Sequence, residues 1–105
     1  MAITITRGHS DPILDAIINA LKSYEKDHAK AKIDLYRLDD VSVRIRIIDP
    51  SFQGLNEPKR HDKVWQYLDK LPEEVQSDVT MLVLVTPKEK KPSFANLEFE
   101  DPIPV

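Results

Sequence analysis

Two short segments of alternating hydrophobicity, separated by a pair of aspartates, restrict this chain more than any other feature. Ala31, Ile33 and Leu35 alternate with Lys32, Asp34 and Tyr36, and Val43, Ile45 and Ile47 alternate with Arg44 and Arg46. A period of two sends successive side chains to opposite faces of a sheet, so each segment reads as a strand buried on one face. Asp39-Asp40 between them suits a tight turn. The pair predicts an antiparallel hairpin with an apolar inner face and a polar outer face of Lys32, Tyr36, Arg44 and Arg46.

The flanking sequence predicts the helices that cover the inner face. Asp11 offers a capping oxygen and Pro12 fits the first helical position, where a missing N–H costs nothing. Leu14, Ile17, Leu21 and Tyr24 then recur at three- and four-residue steps, with Ile13 and Ile18 widening the stripe, so an amphipathic helix ends near Asp27 or His28. After the hairpin, Asp49-Pro50 closes the second strand, Gly54 supplies a turn, and Asn56 caps a second helix. Its buried stripe is Val64, Trp65, Leu68 and Leu71, and it stops at Pro72 or the turn beyond. Val79 to Val85 is almost continuously apolar and reads as an inner strand, ended by Thr86-Pro87. A strand, helix, strand order implies a right-handed crossover, which makes this strand parallel to the one before it. Residues 2–6 add a short N-terminal strand.

The prediction is an α+β domain whose helices share one face of a mixed sheet. At 105 residues the chain has room for one core, divided as an N-terminal segment (1–10), a domain (11–87) and a proline-rich tail (88–105). Within the tail, residues 94–99 are apolar enough to lie across the domain or form an edge strand; otherwise the tail is disordered. If helices leave the second face of the last strand open, Met81, Val83 and Val85 form a patch for the tail, the N-terminal strand or a second copy to cover.

Composition excludes several functions. There is no cysteine, hence no disulfide, thiolate nucleophile or thiolate metal ligand. A net charge of −3 and a pI near 5.6 argue against nucleic-acid binding by overall charge. No run approaches the roughly 18 apolar residues of a membrane span. The N-terminus lacks the positive start and apolar block of a signal peptide, so a cytoplasmic location is expected.

The order helix, strand, strand, helix, strand, together with three local matches, resembles the BolA family, whose small domains are similar to a type II KH fold. The matches are Phe52, Gly54 and Leu55 in the turn, Arg60-His61 followed by Val64 and Leu68 in the second helix, and Thr86-Pro87 with Glu89 after the last strand. The resemblance covers about residues 11–89. It implies a role with monothiol glutaredoxins in iron–sulfur cluster handling, with a histidine near the start of the last strand and a Cys or His in the hairpin loop as ligands. Here those positions are Thr80 and the loop Leu38-Asp39-Asp40-Val41. Neither supplies an imidazole or a thiolate, so no shared cluster, cofactor or metal is expected.

The densest local basic charge coincides with the family-like turn and helix start. Phe52, Gly54, Lys59, Arg60, His61 and Lys63, joined by Arg44 and Arg46, form the expected binding surface. Each residue also has a structural reading. Phe52 and Trp65 sit at core spacing, His61 could pack beside Trp65, and the cations are interleaved with Glu57, Asp62 and Asp69. A KH domain grips a nucleic-acid backbone through a Gly-x-x-Gly loop, which this chain lacks. Asp39-Asp40 and Glu73-Glu74 fall in predicted turns with no apolar surroundings to separate their pKa values. Ser10, Ser51 and Ser93 lack a nucleophile-elbow context for His9, His28 or His61. The expectation is a noncatalytic binding or regulatory module with a protein partner, either monomeric or weakly dimeric and away from membranes. Nucleic-acid binding through the same basic surface is the alternative, followed by glutaredoxin-linked cluster handling.

Overall fold

A computed structural model describes residues 3–6, 8 and 10–89. Its elements run β1 (Ile3–Ile5), α1 (Pro12–Asp27), β2 (Lys32–Asp39), β3 (Ser42–Ile48), a 3-10 turn (Pro50–Phe52), α2 (Glu57–Leu68), α3 (Glu73–Gln76), β4 (Val79–Val85) and a second 3-10 turn (Pro87–Glu89). The strands form one mixed sheet in the order β1-β2-β3-β4. β2 and β3 are antiparallel, while β1-β2 and β3-β4 are parallel pairs. Each parallel pair is joined through helix, since the chain must return to the starting end of the sheet before running in the same direction again.

The helices start where side-chain caps allow. Asp11 is extended, and its Oδ1 accepts the Ile13 and Leu14 N–H groups, each at 2.9 Å. Asn56 accepts the Lys59 N–H at 3.1 Å at the start of α2. Leu14, Ile17, Leu21 and Tyr24 from α1 and Val64 and Leu68 from α2 bury against Ile33, Leu35, Val43, Ile45, Ile47 and Leu84. These strand residues alternate onto one face, so both long helices lie on that face, as the periodicity predicts.

The hairpin turns at Asp40-Val41 with no residue at positive φ other than glycine. The two-residue turns that match strand twist need positive φ, and here the register instead slips at Leu38. A second slip leaves Thr80 without a partner between the Val43–Val79 and Arg44–Met81 pairs.

Among the described residues β4 pairs with β3 alone. Its continuous apolar run carries no period, and only Val79, Leu82 and Leu84 reach the core. The outer sheet face is not simply a solvated polar surface, because Tyr36 is 0% exposed, Arg46 3% and Ile48 7%. Glu73-Glu74 belong to a short helix that buries Val75, not to a turn. The expectations for residues 90–105, including the edge strand or disordered tail, lie outside the described residues.

Candidate functional site

Arg60 is at the centre of the turn and helix start. It lies four residues before Val64 and eight before Leu68, on the buried stripe of α2, and is itself buried. Gly54, at φ 82°, reverses the chain between Phe52 and Asn56. This brings the Leu55 carbonyl to Arg60 Nε, which donates to it at 2.8 Å. Nη1 donates to the Leu84 carbonyl at 2.9 Å and to Glu89 Oε1 at 2.7 Å, while Nη2 donates to Glu89 Oε2 at 3.0 Å. The guanidinium carbon lies 5.7 Å from the Phe52 ring centroid. Phe52, Gly54, Leu55, Arg60, Thr86 and Glu89 thus form a clamp joining the turn, α2 and the end of β4.

Glu89 is locked from both sides. Besides its fork to Arg60, Oε1 accepts the Thr86 N–H at 2.9 Å. The Arg60 hydrogen bonds, then that of Thr86, pull its pKa from 4.5 to about 2.

Next to the clamp, Tyr24 donates to Asp49 Oδ2 at 2.6 Å, and Asp49 Oδ1 accepts the Ser51 N–H at 2.8 Å. Burial pushes the Asp49 pKa up, but the bonds from Tyr24 and Ser51 outweigh it, and the net shift is downward. Burial, followed by the bond to Asp49, raises the Tyr24 pKa. His28 stacks on the Tyr24 ring at 4.2 Å, and Tyr67 meets it edge-on at 5.3 Å. Lys63 donates to Ser51 Oγ at 2.6 Å. The Tyr24–Asp49 pair is a buried polar group that the sequence reading missed; the Asp-Pro step after β3 was its only signal.

The expected binding residues divide into three sets. Phe52 and Arg60 are buried in the core. Lys59 and Gly54 are exposed, Lys63 is half-buried, and the His61 side chain is 41% exposed with Nε2 3.8 Å from Glu57. Arg44 and Arg46 project from the sheet face opposite α2 and do not join the α2 cations. There Arg46 Nη2 donates to Asp34 at 2.7 Å and Arg44 Nη1 reaches the Tyr36 hydroxyl at 3.5 Å.

The hairpin end, where the resemblance implies cluster ligands, holds a different set of groups. Arg37 Nε donates to Asp11 at 2.6 Å, Nη1 to the carbonyls of Asp39 and Asp40 at 3.0 and 3.3 Å, and both terminal nitrogens to Asp78 at 3.4 Å. Asp39 Oδ1 accepts the Val41 N–H at 2.9 Å. Thr80 is exposed and offers one neutral hydroxyl. Hard oxygen donors, several already occupied, do not fit an iron–sulfur cluster. Among the described residues, no three of His, Cys, Asp and Glu are grouped to hold a metal ion, and no helix is long and apolar enough to cross a membrane.

Comparison with protein-family models and with curated protein sequences finds no match. Among solved structures the chain is similar to BolA1 from Arabidopsis thaliana, at 23% identity and a TM-score of 0.54, over 72% of this chain and 96% of that one. At that identity the likeness speaks to architecture, and it agrees with the element order and mixed sheet: the chain has a BolA-like α+β fold.

Proposed function

We propose that this domain is a noncatalytic binding module for a protein partner and does not ligate an iron–sulfur cluster. The enclosure of Arg60 carries this reading. Four hydrogen bonds tie Arg60 to Leu55, Leu84 and Glu89, so the central cation of the family-like helix start serves the fold and is not presented on an open surface. What faces solvent is Gln53, Gly54, Lys59, Asp62 and the edge of His61, a mixed-charge rim suited to a protein contact.

Photo-crosslinking tests the reading directly. A crosslinking side chain at Lys59 should capture a protein in the cell of origin, and one at Lys22 on exposed α1 surface should not. Equal capture, or none at Lys59, contradicts the surface assignment. Reconstitution with a monothiol glutaredoxin, iron and sulfide should give no mixed-ligand cluster spectrum, whereas Thr80→His combined with Asp40→Cys should begin to acquire one. A stable cluster with the unmodified chain overturns the ligation claim. Titration with single-stranded RNA at two salt concentrations should leave amides 53–63 unmoved; salt-dependent shifts there would replace the protein partner with nucleic acid.

A further inference from the structure

The flank of α2 that faces α1 carries a stripe of cations. Lys59, Lys63, Gln66 and Lys70 follow one another at steps of four, three and four, which keeps them on one side of the helix and of the turn that continues it. Tyr67, four residues after Lys63, shows which side this is: its hydroxyl donates across to Asp27 of α1 at 2.6 Å, and its ring meets Tyr24 edge-on. The acids of α2 lie elsewhere, since Asp62 and Asp69 are exposed on the outermost ridge and Glu57 faces His61. Among the described residues none of the three lysines forms an ion pair, whereas Arg37, Arg46 and Arg60 are each matched by a carboxylate. Lys63 is also held in place, because its ammonium donates to Ser51 Oγ at 2.6 Å and lies 5.7 Å from the Phe52 ring centroid. A positioned ammonium loses less freedom on meeting a carboxylate than a mobile one does.

The stripe borders a groove. Between α1 and α2 a space of about 260 Å³ is lined by Ala16, Ala20 and Ser23 from α1 and by Tyr67, Lys70 and Leu71 from α2 and the turn after it. The α1 side chains are too short to fill it, and Ala16, Ala20, Tyr67 and Leu71 make its walls mainly apolar. An apolar cavity of ~150 Å³ holds one benzene ring, so the groove takes roughly two apolar side chains.

We propose that this groove and its lysine stripe dock an acidic amphipathic helix of a protein partner. Apolar side chains of that helix enter between Ala20 and Tyr67, and carboxylates along its flank pair with Lys63 and Lys70, which stand about 10 Å apart along the helix axis. A helix suits the groove because its walls are helices, with no backbone edge to pair with an extended strand. This docking rests on the protein-partner reading above, with which it shares Lys59, and adds where the partner sits and what charge it brings.

The probe is a synthetic helix of about 18 residues, with leucines at alternating three- and four-residue steps and glutamates beside them, titrated into isotope-labelled full-length chain. Amides of residues 16–23 and 63–71 should shift, and those of residues 34–46 in β2 and β3 should stay. Lys63→Gln combined with Lys70→Gln should weaken binding about fivefold, while Lys22→Gln should leave it unchanged. Ser23→Phe, at an exposed position, should block the groove and abolish the shifts with every charge kept. If that variant does not fold, Lys70→Glu at the exposed rim should weaken binding in its place. Absence of shifts in the groove, or equal binding of a peptide with lysines replacing its glutamates, overturns the proposal. Groove shifts that appear on concentrating the chain alone assign the groove to a second copy and overturn it as well. In the cell of origin, a crosslinking side chain at Ser23 should capture the same protein as one at Lys59. Capture at Lys59 without capture at Ser23 removes the groove and leaves the binding reading standing, whereas failure at Lys59 removes that reading itself.

Discussion

Replacing Arg60 by methionine keeps most of the length and packing of the side chain and removes every donor. The buried Leu84 carbonyl and the Leu55 carbonyl then lose their hydrogen bonds, while Glu89, with 45% of its side chain exposed, can turn to water. The cost is the desolvation of unpaired carbonyls, about 1–3 kcal/mol in a urea titration, and Glu89→Gln should cost less. If Glu89→Gln were the more damaging, the clamp would depend on the ion pair and not on the carbonyl contacts. Lysine at position 60 should not restore stability, since an ammonium cannot match the fork that spans Leu84 and Glu89. Tyr24→Phe similarly leaves Asp49, 2% exposed, without the bond from the tyrosine hydroxyl. About 1–2 kcal/mol should be lost by the same measurement, with the fold retained. The burial of Arg60 was legible in principle, since it continues the Val64 and Leu68 stripe by one turn. It was overlooked because arginine is normally a surface residue, and the acceptors that satisfy it come from β4 and residue 89, far away in sequence.

At the scale of elements, Asp11 is both the cap of α1 and the main anchor of Arg37 on β2, and the two roles can be separated. The Arg37 hydrogen bond, opposed by partial burial and aided by the Leu14 N–H, holds the Asp11 carboxyl below its ordinary pKa. Asp11→Ala removes cap and ion pair and should cost about 1–2 kcal/mol, mostly from the cap. Asp11→Asn keeps a capping oxygen but replaces the Oδ2 that accepts from Arg37 Nε with an amide NH2, so it loses the partly exposed ion pair, keeps the cap and should cost less than Asp11→Ala. Urea midpoints of the two variants check this, and equal losses would assign the effect to Arg37. The same cap explains why α1 could be read from sequence: Asp11, Pro12 and the Leu14 to Tyr24 stripe each point to one start and one face. β2 and β3 were legible for the same reason, since their alternation shows which face is buried. β4 was legible as a strand, but its place in the sheet was not, because an unbroken apolar run is compatible with any position. α3 was missed because it is a four-residue turn of helix with no side-chain cap.

Across the whole molecule, three carboxylates with lowered pKa values connect elements that the chain places far apart. Asp11 joins the start of α1 to β2, Asp49 joins the end of β3 to α1, and Glu89 joins the segment after β4 to α2. Each binds protons less readily in the folded state than in the unfolded chain. Between the two pKa values the unfolded state therefore holds more protons, and stability falls as pH falls. The contribution is complete above the unfolded pKa, 4.5 for Glu89, and is lost as pH drops through the folded value of about 2. The urea midpoint should accordingly be flat above about pH 5 and decline steadily towards pH 2. Glu89→Gln should make that decline shallower and move its onset down towards the ordinary aspartate value of 3.8, because only Asp11 and Asp49 then titrate below their ordinary value. Combining Glu89→Gln with Asp11→Asn should flatten it further, leaving Asp49 as the main acid-sensitive link. A midpoint independent of pH in the unmodified chain would show that these bonds are no stronger in the folded protein than water is in the unfolded one. The three carboxylates would then be spacers between elements and not the ties that the hydrogen-bond geometry describes.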